Sequence, residues 1–167
     1  MLFKNEPAED SAYYERILTT HKMLRVMESV RMTEGDDSVF KLYWEFGSRI
    51  HHDKEVDFAM EDALSAVGLD TSHAGAFEDD KWDDEIRTRM DAGLELVGQD
   101  VGTPIIAWER SDSDYIGIFG PVITRVPETE DSLKLWDGMM LMGDVDGFWE
   151  LKKSRFQPPE FGNRPVI

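Results

Sequence analysis

Cysteine is absent from all 167 residues. That excludes disulfides, thiolate metal sites and any reaction in which the chain itself supplies a sulfur nucleophile. Basic residues are scarce: 18 against 35 acidic ones give a formal net charge of −17. A field of that sign repels phosphate backbones and anionic membrane surfaces, so neither nucleic acid nor membrane is an expected partner. No apolar run approaches the ~18 residues of a membrane span. Met1 to Pro7 lacks the basic start and apolar stretch of a secretory signal. A cytoplasmic location is the default expectation. Glycine-rich phosphate loops and the G-x-S-x-G nucleophile motif are missing too.

What is present suits one domain, or a domain with a large insertion. Hydrophobic residues make up 41% and aromatics 11%, enough for a real core. From Ser11 a helical pattern begins, with Tyr13, Ile17, Leu24 and Met27 on one face. Glu34-Gly35-Asp36-Asp37 ends it, and Ser38 is the expected N-cap of the next helix, where Val39, Tyr43, Phe46 and Ile50 recur at helical spacing. After a polar break at His51-His52-Asp53-Lys54, Phe58 to Val67 predicts a third helix, stopped by Gly68. Residues 70–76 read as a loop or short turn. Trp82, Ile86, Met90, Leu94 and Val97 predict a fourth helix, with acids in its first turn, where the helix dipole favours them.

Beyond Gly98 the character of the sequence changes. Ile105-Ile106-Ala107-Trp108 and Tyr115-Ile116-Gly117-Ile118-Phe119 predict an antiparallel hairpin, with Arg110 to Asp114 as its turn and Gly120-Pro121 closing it. A helix follows from about Thr129 to Met142. Its apolar residues fall on two sides, Leu133, Trp136 and Met140 against Leu135, Met139 and Met142, as in a helix sandwiched between layers. Phe148 to Lys152 predicts a last short helix, and the prolines at 158, 159 and 165 make the tail irregular. No repeat or low-complexity segment interrupts the chain, and two strands alone make a poor sheet.

Few candidates for chemistry emerge. The histidines, His21, His51, His52 and His73, match no metal-binding helix spacing and read as solvated or capping residues. Asp144-Val145-Asp146-Gly147 with Glu150 lacks the spacing of a calcium loop and reads as a helix-breaking turn. The acidic stretch from Glu78 to Glu85 reads as a solvated helix start. Tyr43, Trp44, Phe46, Trp82 and Met90 could line an apolar cleft, although core packing is the usual role of such stripes. Gly102-Thr103-Pro104, leading into an apolar β-branched run, is the best site candidate. A proline there would leave a backbone edge free to pair with an extended substrate.

Several stretches, read in order, carry a resemblance. They are Gly47-Ser48-Arg49-Ile50-His51, Ala92-Gly93, Val97-Gly98 running into Asp100-Val101-Gly102-Thr103-Pro104, then Phe119-Gly120-Pro121-Val122, Leu135-Trp136-Asp137, Glu150-Leu151-Lys152 and Pro158-Pro159. Together the series resembles the DsbA-like branch of the thioredoxin superfamily, and within it the mycothiol-dependent nitroreductases of actinobacteria.

The resemblance implies an α/β fold of thioredoxin-like, DsbA type: an incomplete thioredoxin domain, a β-hairpin with flanking helices, carrying an all-helical insertion. Residues 1–9 would be the end of the second thioredoxin strand and a lead-in, with Met1-Leu2-Phe3 in that strand. Residues 10–80 would be the helical cap, 81–157 the C-terminal half of the thioredoxin-like domain, and 158–167 an irregular tail. It further implies a cis Thr103–Pro104 peptide facing a Cys-Pro-x-Cys motif, which here has no counterpart. Thr103, Pro104 and Gly102 would then bind substrate, and no residue of the chain would be catalytic. Mycothiol or a similar low-molecular-weight thiol would be the co-substrate of the full-length family, with no bound cofactor. The expected partners are a small-molecule or thiol substrate and, through exposed apolar faces, a second copy of the chain. Without cysteines the chain is expected to be redox-inert, and the alternative is a non-catalytic binding module using the proline-loop edge. The missing motif is expected to belong to a segment before Met1.

Overall fold

A computed structural model describes residues 2–110 and 115–165. They form a mixed α/β structure of six α-helices, shorter π and 3-10 turns, and one two-stranded antiparallel sheet. The chain divides into two compact units, Met1–Arg89 with Arg164–Ile167, and Met90–Asn163. That division falls inside a helix.

In the first unit α1 (Leu2–Asn5) is a short helix, where the end of a strand was expected. Its Phe3 stacks edge-on against His21 and carries the Arg87 guanidinium over its ring. The long α2 (Tyr14–Glu34) contains no glycine or proline and buries Met23, Val26, Met27 and Val30 at helical spacing. This stripe is rotated from the expected one: Leu24 is half-buried and Tyr13 is exposed. The rotation follows from polar residues that share the inner side. His21, Arg25 and Glu28 are buried, and each finds a charged partner there.

Gly35 separates α2 from α3 (Asp36–Ser48). Its φ of 81° is one that L side chains rarely adopt, and it lets the chain turn at once. Ser38 is therefore not the N-cap; Gly35 is. The Arg31 guanidinium, extending from α2, pairs with the Asp36 carboxylate across that turn. Helix α3 buries Val39, Leu42 and Phe46, whereas Tyr43 points to solvent. A widened π turn, Arg49–Asp53, continues it through the His-His pair. Then come α4 (Met60–Ala66) and a 3-10 segment, Thr71–Glu78, in place of the expected loop. Met60, Ala63 and Leu64 of α4, with Leu69 and Ala76, complete one continuous core with the α2 and α3 stripes. Each fully buried aliphatic side chain in such a core contributes about 1.5–3 kcal/mol.

Helix α5 (Asp83–Val97) enters the second unit, where β1 (Ile105–Glu109) and β2 (Tyr115–Phe119) follow. Ile105 pairs with Phe119 and Glu109 with Tyr115. The expected turn at Arg110 to Asp114 lies, after Arg110, outside the described residues. Helix α6 (Thr129–Gly143) comes next. Two glycines let the helices close on the hairpin. A Cβ on Gly117 would stand 2.6 Å from Cβ of Leu96 in α5. One on Gly143 would stand 2.5 Å from Cζ2 of Trp108. Adjacent residues of a strand face opposite ways, so α5 covers the Gly117 face and α6 the Trp108 face.

The expectation of an α6 buried on both sides is not met. Only Met139 is buried, while Leu133, Trp136 and Leu141 are more exposed than not or nearly so. Nor does a helix form at 148–152: Trp149 is 91% exposed and finds no surface to cover. An amphipathic segment without a partner face has little to stabilise it as a helix.

Candidate functional site

The candidate site begins where α5 stops. Gly98, at a φ of 89°, ends the helix, and its N–H donates to the Leu94 carbonyl at 2.8 Å. Asp100, Val101 and Gly102 then lead to Thr103 and Pro104 at the head of β1. The Thr103–Pro104 peptide is cis, and so is Gly120–Pro121, which the sequence did not announce. The two prolines lie at the same end of the hairpin, because the Gly120 N–H donates to the Pro104 carbonyl at 2.9 Å, one step beyond the Ile105–Phe119 pair.

Thr103 and Pro104 are both exposed, and Gly102 is half-buried. A Cβ at Gly102 would meet Phe119 Cε2 at 3.6 Å, an ordinary contact, so glycine is not sterically required there. Neither the backbone nor the hydroxyl of Thr103 has a hydrogen-bond partner among the described residues. Beside it Phe119 leaves 42% of its surface in solvent, and Val122 and Ile123 are exposed. The arrangement offers an extended ligand a free main-chain edge, one hydroxyl and an apolar bank. It offers no thiol.

The remaining candidates have structural roles. His21 is not solvated: it is fully buried, and its Nε2 lies 3.0 Å from the Asp83 carboxylate. Arg25 donates to both oxygens of the same Asp83, from Nε at 2.7 Å and Nη2 at 2.8 Å. Burial pushes the His21 pKa below 6.5, more strongly than the Asp83 carboxylate raises it. For Asp83 burial acts upward, yet the hydrogen bonds from Arg25 and His21 outweigh it and hold the carboxyl below its usual value. The buried His21–Arg25 dyad, held by the partly exposed Asp83 carboxylate, serves to join α5 to α2.

His73 does the same for the 3-10 segment. Its Nδ1 meets Ser29 Oγ at 2.8 Å, and its Nε2 meets Glu34 and Thr33 on α2. Burial lowers the His51 pKa as well, with Arg16 next in effect. No cluster of metal-binding side chains occurs among the described residues.

The acidic stretch from Glu78 to Glu85 is more than a solvated helix start, since Glu78 takes Lys22 and Asp83 holds the dyad. Asp83 is the residue sequence reasoning missed. Its only signal was His21 and Arg25, four apart on one helix face. The residues proposed for an aromatic cleft lie in different surroundings. Phe46 is in the core, Trp82 packs against that core with its Nε1 buried, Tyr43 is exposed, and Met90 belongs to the second unit. At Asp144 to Gly147 the chain leaves α6 through a turn, with Asp146 beside Arg110 at 3.7 Å and Gly147 at a φ of 81°.

No helix among the described residues is long and apolar enough to cross a membrane. Compared with known families, residues 3–153 match the family model described as Rv2466c-like: Mycothiol-dependent nitroreductase Rv2466c.

Proposed function

Since the chain belongs to the Rv2466c-like family of mycothiol-dependent nitroreductases, we propose that it serves a mycothiol-dependent, reductase-like function as a substrate-facing wall rather than as the reactive partner. The observation that carries this reading is the exposed Thr103 main chain beside Pro104, with no internal hydrogen-bond partner among the described residues. The packing of α5 and α6 on opposite faces of a hairpin supports assignment of residues 81–157 to the second half of a DsbA-type thioredoxin fold, with 10–80 as its helical cap.

Mycothiol reacts by forming a mixed disulfide with a protein thiolate. Not one residue here can form it, so the residues present do not fit a covalently held mycothiol. Contact is limited to hydrogen bonding along the Thr103 edge and apolar packing on Pro104 and Phe119. Any sulfur nucleophile comes from outside these 167 residues.

Titration of the full 15N-labelled chain with mycothiol disulfide tests the reading. Amide shifts confined to Gly102, Thr103, Ile105, Phe119 and Gly120 are expected, with no turnover of a nitro substrate when mycothiol and its reductant are supplied. Unchanged amides at those positions sink the placement, and measurable turnover by the chain alone sinks the inert reading. The absence of cysteine also favours a second reading, a non-catalytic module that binds extended peptides on the same edge. A β-strand-forming peptide that perturbs those amides while mycothiol disulfide does not would select it.

A further inference from the structure

Positive charge is gathered in one place on this acidic chain. Arg125, Lys134, Lys153 and Arg155 line a single cleft of about 750 Å³ within the second unit, with Asp131 the one carboxylate on its wall. Three short stretches build it: the segment after the hairpin, the first turns of α6, and the irregular tail around residue 155. The first and last are tied together by backbone, because the Glu160 N–H donates to the Thr124 carbonyl at 2.6 Å and Arg125 and Glu160 form an isolated parallel β-bridge. The Ser132 hydroxyl, donating to the Pro127 carbonyl at 3.5 Å, secures the start of α6 against the same segment.

The charges there are unspent. With 35 acids in the chain, most arginines and lysines find a carboxylate. Arg125, Lys153 and Arg155 make no ion pair with a described residue, and Lys134 is held only by Glu130 and Asp131 of its own helix. Between these cations Ile123, Leu135 and Phe156 present apolar surface, Phe156 being 91% exposed. Most of the lining residues are exposed, so the cleft is an open groove in which a small ligand meets apolar surface and a few placed charges on one side.

We propose that this cleft is a binding site for a small amphipathic anion: a flat or short apolar body carrying a carboxylate or phosphate. The guanidinium groups of Arg125 and Arg155 suit either oxyanion, since their paired N–H donors match two oxygens at once. Phe156 and Leu135 cover the apolar body. The long-range field of a −17 protein repels anions, so recognition depends on short-range contact with the four cations rather than on steering. This cleft shares Ile123 with the apolar bank beside the Thr103 edge, but its assignment does not rest on thiol chemistry.

The test compares 2-naphthoate with 2-naphthamide, which share a ring system and differ in charge, by calorimetric titration of the full chain. Naphthoate is expected to bind at least about tenfold more tightly, as one or two charge-assisted hydrogen bonds provide. The double substitution R125Q/R155Q removes no internal ion pair and is expected to abolish that preference while leaving naphthamide binding unchanged. F156A is expected to weaken both ligands. Equal affinity for the two probes, or naphthoate affinity unchanged in R125Q/R155Q, overturns the proposal. Tighter binding of a tetraglutamate peptide than of naphthoate, lost in R125Q/R155Q, overturns it in favour of an acidic protein partner.

Discussion

Gly143 closes α6 against the indole of Trp108 so tightly that a Cβ on it would lie 2.5 Å from Cζ2. On the other face of the hairpin Gly117 stands in the same relation to Leu96, at 2.6 Å. Neither φ lies in the region reserved for glycine, so space and not backbone conformation fixes these residues. Gly143→Ala and Gly117→Ala are each expected to destabilise the second unit by about 1–3 kcal/mol through overpacking. Gly138, mid-helix in α6, has nothing within 4 Å of its Cβ position. Gly138→Ala is therefore expected to be neutral or to stabilise by about 0.5–1 kcal/mol. Urea unfolding of the three variants checks the contrast, and equal effects at all three sites would contradict the packing argument.

Asp83 is expected to be the most sensitive charged residue of the first unit. Replacing it with Asn leaves Arg25 and His21 buried around a neutral amide that cannot take both guanidinium bonds. Removing one partner of a buried ion pair costs about 3–5 kcal/mol, and the partial exposure of Asp83 lowers that to roughly 2–4 kcal/mol. Asp79→Asn, which loses a solvent-screened ion pair with Lys81 and keeps an oxygen to accept from the Lys81 N–H, is expected to leave stability nearly unchanged. Chemical denaturation of both variants measures the difference.

Acidification is expected to weaken the same network. His21 has a folded pKa below its unfolded value of 6.5, so the unfolded chain binds more protons between the two. Stability is then complete above about pH 6.5 and falls as pH drops through the folded value. Asp83, also lowered, adds a second loss in the same direction below its reference 3.8. His21→Gln removes the first titration, leaving the smaller slope due to His51, whose pKa burial likewise lowers. Midpoints of urea unfolding between pH 5 and 7.5 test this; a slope in His21→Gln as steep as in the parent chain would count against it.

His73 is expected to govern local opening of the 3-10 segment Thr71–Glu78. Its ring joins that segment to three α2 side chains, Ser29, Thr33 and Glu34. In His73→Ala, amides around Thr71–Glu78 should exchange about tenfold faster, equivalent to losing roughly one or two net hydrogen bonds. The α4 amides report whether the effect stays local, and unchanged exchange at 71–78 would remove the assigned role.

These relations show where sequence was readable. Apolar spacing marked α2 to α5 and both strands, and Gly35, Gly68 and Gly98 each end a helix at a positive φ. Spacing could not choose the buried face of α2. That face holds His21, Arg25 and Glu28, whose burial depends on Asp83 and Arg89, some sixty residues away. Phe148 to Leu151 failed for the opposite reason: local pattern favoured a helix, but no surface covers its apolar side. The Thr103–Pro104 step was legible because proline punctuates the chain locally. The cationic cleft was not, since Arg125 and Arg155 are thirty residues apart and meet only through the Thr124–Glu160 contact.

Self-association should respond to salt in a direction set by two opposed forces. Leu133, Trp136 and Leu141 leave an apolar face of α6 in solvent, with Trp136 49% and Leu141 72% exposed. Such a face favours pairing with a second copy, while a net charge of −17 per chain opposes it. Apolar contact is little affected by moderate salt, but repulsion between exposed charges is screened beyond about 10 Å at 0.1 M ionic strength and about 3 Å at 1 M. Raising sodium chloride from 20 mM to 500 mM is therefore expected to shift the population from monomer toward dimer. Leu133→Ser with Trp136→Ser should keep the chain monomeric at both concentrations. Sedimentation velocity distinguishes the cases, and a parent chain of constant mass across that range would rule out pairing through this helix.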